Sequence, residues 1–231
     1  MEKTVNFDKV ADDYRQIHNE NIKITGTDSA YFSEFKVKKT LELLDGKKPS
    51  KILDFGCGDG LSEVFFLKYF PESKVIGVDT SGVSLERAKN RNLHNTEFVL
   101  SENITPHISD KVDLVFVACV LHHVKKSEIN EVLRSLVKLT NIGGEIHVYE
   151  HNPFNPITGR LVNNCIFDRG VTLLRAGDLK RRLNTIGKFQ VSVEYLLFFP
   201  RHKLFSKFLK FEKYLRFFPL GGQYMIRVRV I

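Results

Sequence analysis

Residues 51–60 read Lys-Ile-Leu-Asp-Phe-Gly-Cys-Gly-Asp-Gly. Lys51–Phe55 suits a buried strand, and an apolar helical pattern begins at Leu61 and runs to Tyr69. Gly56, Gly58 and Gly60 let the chain turn sharply and approach a ligand with no Cβ in the way. The helix start beyond them offers free N–H groups to an anionic part of that ligand. A dinucleotide loop needs G-x-G-x-x-G, but here the third glycine comes one residue early and Leu61 fills the required position. The Gly-Lys-Ser/Thr of a phosphate-cradling loop is absent. A second strand, Lys74–Asp79, ends on an acid 19 residues after Gly60. A carboxylate at that strand end can accept both hydroxyls of a ribose. The spacing therefore predicts a ligand carrying a nucleoside and argues against a nicotinamide dinucleotide.

Working outward, the same alternation continues. Helices are expected at 5–18 and 31–44, ahead of the loop. A helix at 81–91 starts on Ser81 as a possible N-cap. Strands follow at 96–100, 112–120 and 145–150, with a helix at 127–139 opening on Ser127 and a turn at 141–144. Val112–Val120 is almost continuously apolar, as befits a strand covered on both faces. A further helix at 176–186 precedes strands at 189–198 and 224–231. This rhythm predicts an α/β chain with a parallel sheet and helices on both faces. In such sheets ligands bind beyond the carboxyl ends of the strands.

The chain has 231 residues and a net charge of +8, but the charge is lopsided. Residues 1–150 carry 20 Lys/Arg against 23 Asp/Glu, whereas 151–231 carry 15 against 4. A basic second part favours anionic partners. Composition excludes wholesale disorder and a polytopic membrane protein. Cys57, Cys119 and Cys165 form no CxxC pair, so zinc ribbons and thioredoxin-type sites are disfavoured and no metal is expected. The odd cysteine count suits a reduced, cytoplasmic location. The N-terminal residues lack the apolar stretch of a signal peptide. The longest apolar run, Leu114–Leu121, is far short of the about 20 residues of a membrane-spanning helix.

Five segments in order, ILDFGCGDG, VIGVDTS, FVLSENI, DLVFVACVLHHV and GGEIHVYEH, resemble the motif series of class I S-adenosylmethionine-dependent methyltransferases. The resemblance implies a Rossmann-like, doubly wound sheet of seven strands with the last antiparallel. It implies one domain over 1–231, divided into an N-terminal helical cap (1–48), a cofactor-binding core (49–151), a substrate lid (152–175) and an insertion (200–221). S-adenosyl-L-methionine would be the cofactor. By position, Gly56, Cys57 and Gly58 would line its methionine part, and Asp54 would hold the loop and the amino group. Asp79 would take the ribose hydroxyls, with Thr80 beside the adenine and Glu102 and Asn103 at its edge. Glu102 stands where such enzymes usually have Asp. Ala118, with Leu121 or His122, would approach the methionine end. Tyr14 and His18 match a helix that closes over the cofactor.

Methyl transfer gains from positioning the acceptor. A hydroxyl acceptor also gains from a base, and His151 and His122 are the candidates. His151 opens the loop Asn152-Pro-Phe-Asn-Pro156, so Asn152 and Asn155, with Asp168 further into the lid and His18, are candidate substrate contacts. The Asn/Asp-Pro-Pro-aromatic motif of nucleic-acid amino methyltransferases is absent after the fourth strand. Residues 201–218, RHKLFSKFLKFEKYLRFF, set Leu204, Phe205, Phe208, Leu209, Phe211 and Leu215 on one helical arc and Lys203, Lys207, Lys210 and Lys213 on the other. This predicts an amphipathic helix, packed on the domain or lying on an anionic membrane surface. The segment EHNPFNPITGRLVNNCIFDRG with the later FFP…FFPLGGQY resembles a bacterial subgroup acting on cell-surface glycans or lipid-linked intermediates. The expected acceptor is a small molecule or a lipid-linked glycan or polyprenyl, methylated on oxygen at the inner face of the membrane, with nucleic acid disfavoured. The alternative is a non-catalytic nucleoside-binding scaffold.

Overall fold

A computed structural model describes residues 14–104, 110–168 and 170–231. Residues 5–13 of the expected first helix lie outside them. Helices α1 (Tyr14–Ile22) and α2 (Ser29–Leu44) precede β1 (Lys51–Phe55), α3 (Leu61–Tyr69), β2 (Lys74–Asp79), α4 (Gly82–Lys89), β3 (Thr96–Leu100) and β4 (Val112–Ala118). Then come α5 (Ile129–Leu139), β5 (Thr140–His151), α6 (Pro156–Asn164), α7 (Ala176–Ile186), β6 (Phe189–Leu196), α8 (Glu212–Leu215) and β7 (Gln223–Val230). The seven strands lie in the order β3-β2-β1-β4-β5-β7-β6. β1 to β5 pair in parallel, and β7 runs antiparallel between β5 and β6. This is the expected doubly wound sheet.

The pleat of β4 explains why the sheet is covered on both faces. Side chains alternate along a strand. Val115 and Val117 enter a core with Leu133 and Leu136 of α5 and Leu179 and Leu183 of α7. Leu114 and Phe116 enter a second core with Val37 of α2, Phe66 of α3 and Tyr149 of β5. Tyr149, fully buried, shares a hydroxyl hydrogen bond with Thr40 Oγ1 at 2.9 Å and donates to the Lys36 carbonyl at 3.1 Å. That contact seats α2 on the sheet and brings Lys36 to the carboxyl ends of the strands.

The structure departs from the sequence reading in four places. α5 begins at Ile129, and Ser127 does not cap it. The turn expected at 141–144 is absorbed into β5, with a register break opposite Val112 to Leu114. The lid, which shows no clear period, contains α6, with Pro156 in its first turn and Asn155 as N-cap. Proline suits that turn because the missing N–H has no helical partner there.

The fourth departure is the insertion. Residues 201–218 form no single amphipathic helix; short 3-10 turns at Lys203–Phe205 and Leu209–Phe211 lead into the one-turn α8. Glu212 is the physical reason. The continuous helix would place it in or near the apolar arc, where an unpaired charge is costly. Instead it accepts from the N–H groups of Phe198 (2.8 Å) and Phe199 (3.0 Å) and forms a two-pronged pair with Arg201 at 3.0 Å. The Arg201 guanidinium lies 5.6 Å from the rings of both Tyr31 and Phe35 on α2. The segment is therefore anchored to the cap by its one acid. Glu212→Ala should lose about 1–3 kcal/mol in urea unfolding and increase protease cleavage within 199–218; unchanged stability and cleavage would show that the anchor is idle.

Candidate functional site

A cavity of about 690 Å³ opens at the carboxyl ends of the strands. That volume lies within the about 300–1,000 Å³ of small-molecule sites. One wall is the loop after β1. The N–H groups of Gly56 and Cys57 donate to the Val78 carbonyl at 2.7 and 3.0 Å. Gly58 N–H donates to Asp79 Oδ2 and Ser81 N–H to Asp79 Oδ1, both at 2.9 Å. Asp79 thus fixes the loop and the start of α4 with one carboxylate. Each of its oxygens has a further lone pair for another donor. Gly56 has φ +82°, and a Cβ there would lie 2.3 Å from Val120. At Gly58 (φ +55°) a Cβ would meet open space.

Beneath this loop sit two unusual acids. Asp54, 2% exposed, lines the cavity, and its Oδ2 has no hydrogen-bond partner. Burial and the neighbouring Asp79 push its carboxyl up to about 8, opposed by Lys36. Glu63 of α3 is fully buried with neither oxygen paired, and burial with the nearby Asp54 carries it well above the ordinary range. Lys36, itself 8% exposed, is part of the same cavity wall. A buried carboxyl with an orphaned oxygen and a buried lysine in the same wall are suited to a ligand that is itself a zwitterion. The Cys57 thiol is pushed well up by burial, which leaves it unionised.

The other wall carries histidines. Glu150, fully buried, accepts from the N–H groups of Val120 (3.1 Å) and Leu121 (2.7 Å) and contacts His122 Nδ1 at 2.6 Å. Asp168 Oδ1 lies 3.6 Å from His122 Nε2 and 3.3 Å from His123 Nε2. The His122 ring centroid is 4.2 Å from that of His123 and 5.3 Å from that of His151. Burial alone would lower His122, but Glu150 and Asp168 outweigh it and raise the ring to about 10. Burial and the charged His122 lower His151 to about 4. His18, which contacts Ser29 Oγ at 2.9 Å, is lowered to about 4, chiefly by burial.

The structure brings His18, Asp54, Gly56, Cys57, Gly58, Asp79, Thr80, Ala118 and His122 into the walls of this one cavity. It keeps others out. Leu121 is fully buried in the core, so of the pair expected at the methionine end His122 is the one that lines the site. Glu102 is exposed, and Ser101 stands in the wall instead. His151 lies behind His122, whose ring stands between it and the cavity wall. Asn152 and Asn155 spend their amides on backbone: Asn152 donates to Pro219 and Gly221, Asn155 to Leu220. Asp168 touches the two histidines rather than the cavity. The side chains of Tyr14 and Asn103 lie outside the described residues. Lys36, which lines the cavity, and Glu150, which fixes the turn carrying His122, are the side chains that pattern reasoning missed. Lys36 shares an i, i+4, i+8 face with Thr40 and Leu44, and a charge on that buried stripe was the available signal.

Residues 53–146 match the family described as a methyltransferase domain. The malonyl-[acyl-carrier protein] O-methyltransferase of Legionella pneumophila is 28% identical over 141 residues, covering 60% of this chain and 45% of that protein. The trans-aconitate 2-methyltransferase of Methylobacterium radiotolerans is 33% identical over 93 residues, covering 39% and 35%. The chain thus spans less than half the length of these curated relatives. Among solved structures, a SAM-dependent methyltransferase from Archaeoglobus fulgidus superposes with a TM-score of 0.65 at 18% identity, covering 87% of this chain and 94% of that one. The plantazolicin methyltransferase BpumL in complex with SAH gives 0.66 at 16% identity, covering 96% and 94%. For the loop itself, Gly56→Ala would force both the left-handed backbone and the Val120 contact. It should destabilise the chain by more than about 1 kcal/mol in thermal or urea unfolding; a neutral result would mean the loop can move aside.

Proposed function

We propose that this chain, whose residues 53–146 match a methyltransferase-domain family, is a class I S-adenosylmethionine-dependent methyltransferase that methylates an oxygen of a small or lipid-linked acceptor. The observation that carries the cofactor half of this reading is Asp54, a buried carboxylate with an orphaned oxygen in the cavity wall. S-adenosyl-L-methionine, when bound, supplies an electrophilic methyl group. Asp54 would hold its ammonium, Lys36 its carboxylate and Asp79 its ribose hydroxyls, with Thr80 and Ser101 beside the adenine. The remaining wall, with His18, His122, His123, Val171 and Thr172, is left for the acceptor. Transfer to a hydroxyl oxygen releases a proton. His18, kept neutral by burial, would take that proton and pass it to solvent, while the rigid wall supplies positioning. One relative is named a malonyl-[acyl-carrier protein] O-methyltransferase, which supports an oxygen acceptor, and another a trans-aconitate 2-methyltransferase, which supports a small one.

The pH dependence of cofactor binding tests the Asp54 role. Asp54 faces Asp79, Lys36 and Glu63 and is largely protonated below about 8 in the free chain. An ammonium beside it favours the ionised form, so binding releases a proton. Affinity should rise with pH up to about 8 and then level off. Calorimetry in buffers of different ionisation heat reads the proton directly. Asp54→Asn should abolish the slope and weaken binding at least tenfold; a flat profile in the parent chain sinks the assignment. Binding without turnover in any cell-extract pool would favour the nucleoside-binding scaffold instead.

A lipid-linked acceptor is supported by the insertion. Leu204 is 79% exposed and Phe217 68%, and Tyr214, Phe218 and Leu220 are also exposed. They stand among Lys203, Lys207, Lys210 and Lys213, which complement an anionic lipid surface. No helix among the described residues is long and apolar enough to cross a membrane. The chain should sediment with vesicles containing phosphatidylglycerol and release as salt is raised. Replacing the four lysines by glutamate should abolish sedimentation, and salt-insensitive or absent binding would remove the membrane from this reading.

A further inference from the structure

We propose that His122, His123 and Asp168 form a binding site for one divalent transition-metal ion of the zinc type, at the acceptor end of the cavity. Their ligand atoms lie within 4.8 Å of one another. Metal–ligand bonds of about 2.0–2.1 Å in a tetrahedral site place neighbouring ligand atoms roughly 3.3–3.5 Å apart. Asp168 Oδ1 stands 3.3 Å from His123 Nε2 and 3.6 Å from His122 Nε2. A charge-assisted N–H···O bond would be shorter, about 2.7–2.9 Å. The two Asp168 spacings are close to those of ligands around a common centre, and the three ligand atoms are near enough for small side-chain rotations to close them on one ion.

The surroundings of His122 point the same way. Its Nδ1 is 2.6 Å from Glu150, a fully buried carboxylate that is also fixed by two backbone N–H groups. A histidine whose far nitrogen is held by a carboxylate has its tautomer and ring plane set, so the other nitrogen is presented for a ligand. Once an incoming ion displaces the proton of His122 to solvent, two imidazoles and one carboxylate suit zinc, iron or cobalt and are poor for calcium or magnesium, which take oxygen. Three protein ligands leave a fourth position, and both histidines line the cavity. That this position would take the acceptor's oxygen rests on the methyltransferase reading; the binding of the ion does not.

The full chain, purified without a histidine tag and stripped with chelator, is titrated with Co²⁺ and then Zn²⁺ in the absence of cofactor. One Co²⁺ per chain is expected, with the visible spectrum of a tetrahedral site, and Zn²⁺ should displace it. His123→Ala and Asp168→Asn should each weaken binding at least tenfold, while replacement of the exposed His94 by Ala changes nothing. His122→Ala leaves Glu150 Oε2 buried without its side-chain partner and can unfold the chain, so the two other variants carry the test, each checked by its melting curve. No stoichiometric binding, or equal binding by the folded His123 and Asp168 variants, overturns the site. Calorimetry with S-adenosyl-L-methionine is run separately, so loss of the metal and loss of cofactor binding are read apart.

Discussion

Every strand of a parallel sheet ends in a turn whose N–H groups need acceptors, and here acidic side chains at the strand ends meet that demand. Asp79 closes the end of β2 by taking Gly58 and Ser81. Glu150, near the end of β5, reaches across to the turn after β4 and takes Val120, Leu121 and His122. Asp54, in β1, takes nothing with one oxygen. Two satisfied acids freeze the loops on either side of the cavity, and the third leaves an unpaired oxygen for a ligand to complete. Leaving a buried acid unsatisfied costs folding free energy, and its position in the cavity wall is the reason to tolerate it.

The cofactor half of the site was legible because it is local. Gly56 to Gly60 lie within five residues, and Asp79 ends a strand whose position follows from the chain's rhythm. The acceptor half depends on contacts across long stretches of sequence. Nothing near Asp168 announces that it will meet His122 and His123, 46 and 45 residues earlier. The alternation of β5 correctly separates Glu150 from Tyr149 and His151, yet cannot say that Glu150 is the side chain that grips the turn after β4. Likewise, a helical wheel drawn on 201–218 counts Glu212 as a blemish. Its partners, Arg201 and two backbone N–H groups, become visible once the chain has folded back on itself.

The lopsided charge also resolves into parts. Arg227 and Arg229 of β7 pair with Glu145, a buried acid midway along β5. Arg201 is consumed by Glu212 and by the aromatic face of α2. These cations are internal fasteners and contribute little to the outer field. The lysines of the insertion remain at the surface, close to a cluster of exposed aromatic side chains. Charge that looked like a property of the whole second part is thus divided between architecture and surface.

The amides of Asn152 and Asn155 bind the carbonyls of residues 219–221, and Thr158 adds Gly222. α6 in turn receives Asn21 of α1 on its Leu161 carbonyl. A scaffold of side-chain bonds therefore runs from the edge of the insertion, through α6, to the helix that carries His18. It bypasses the sheet. Sequence change along this outer brace can reshape the acceptor wall while the glycine loop and Asp79 stay as they are, so one cofactor platform can be retailored to different acceptors from its rim.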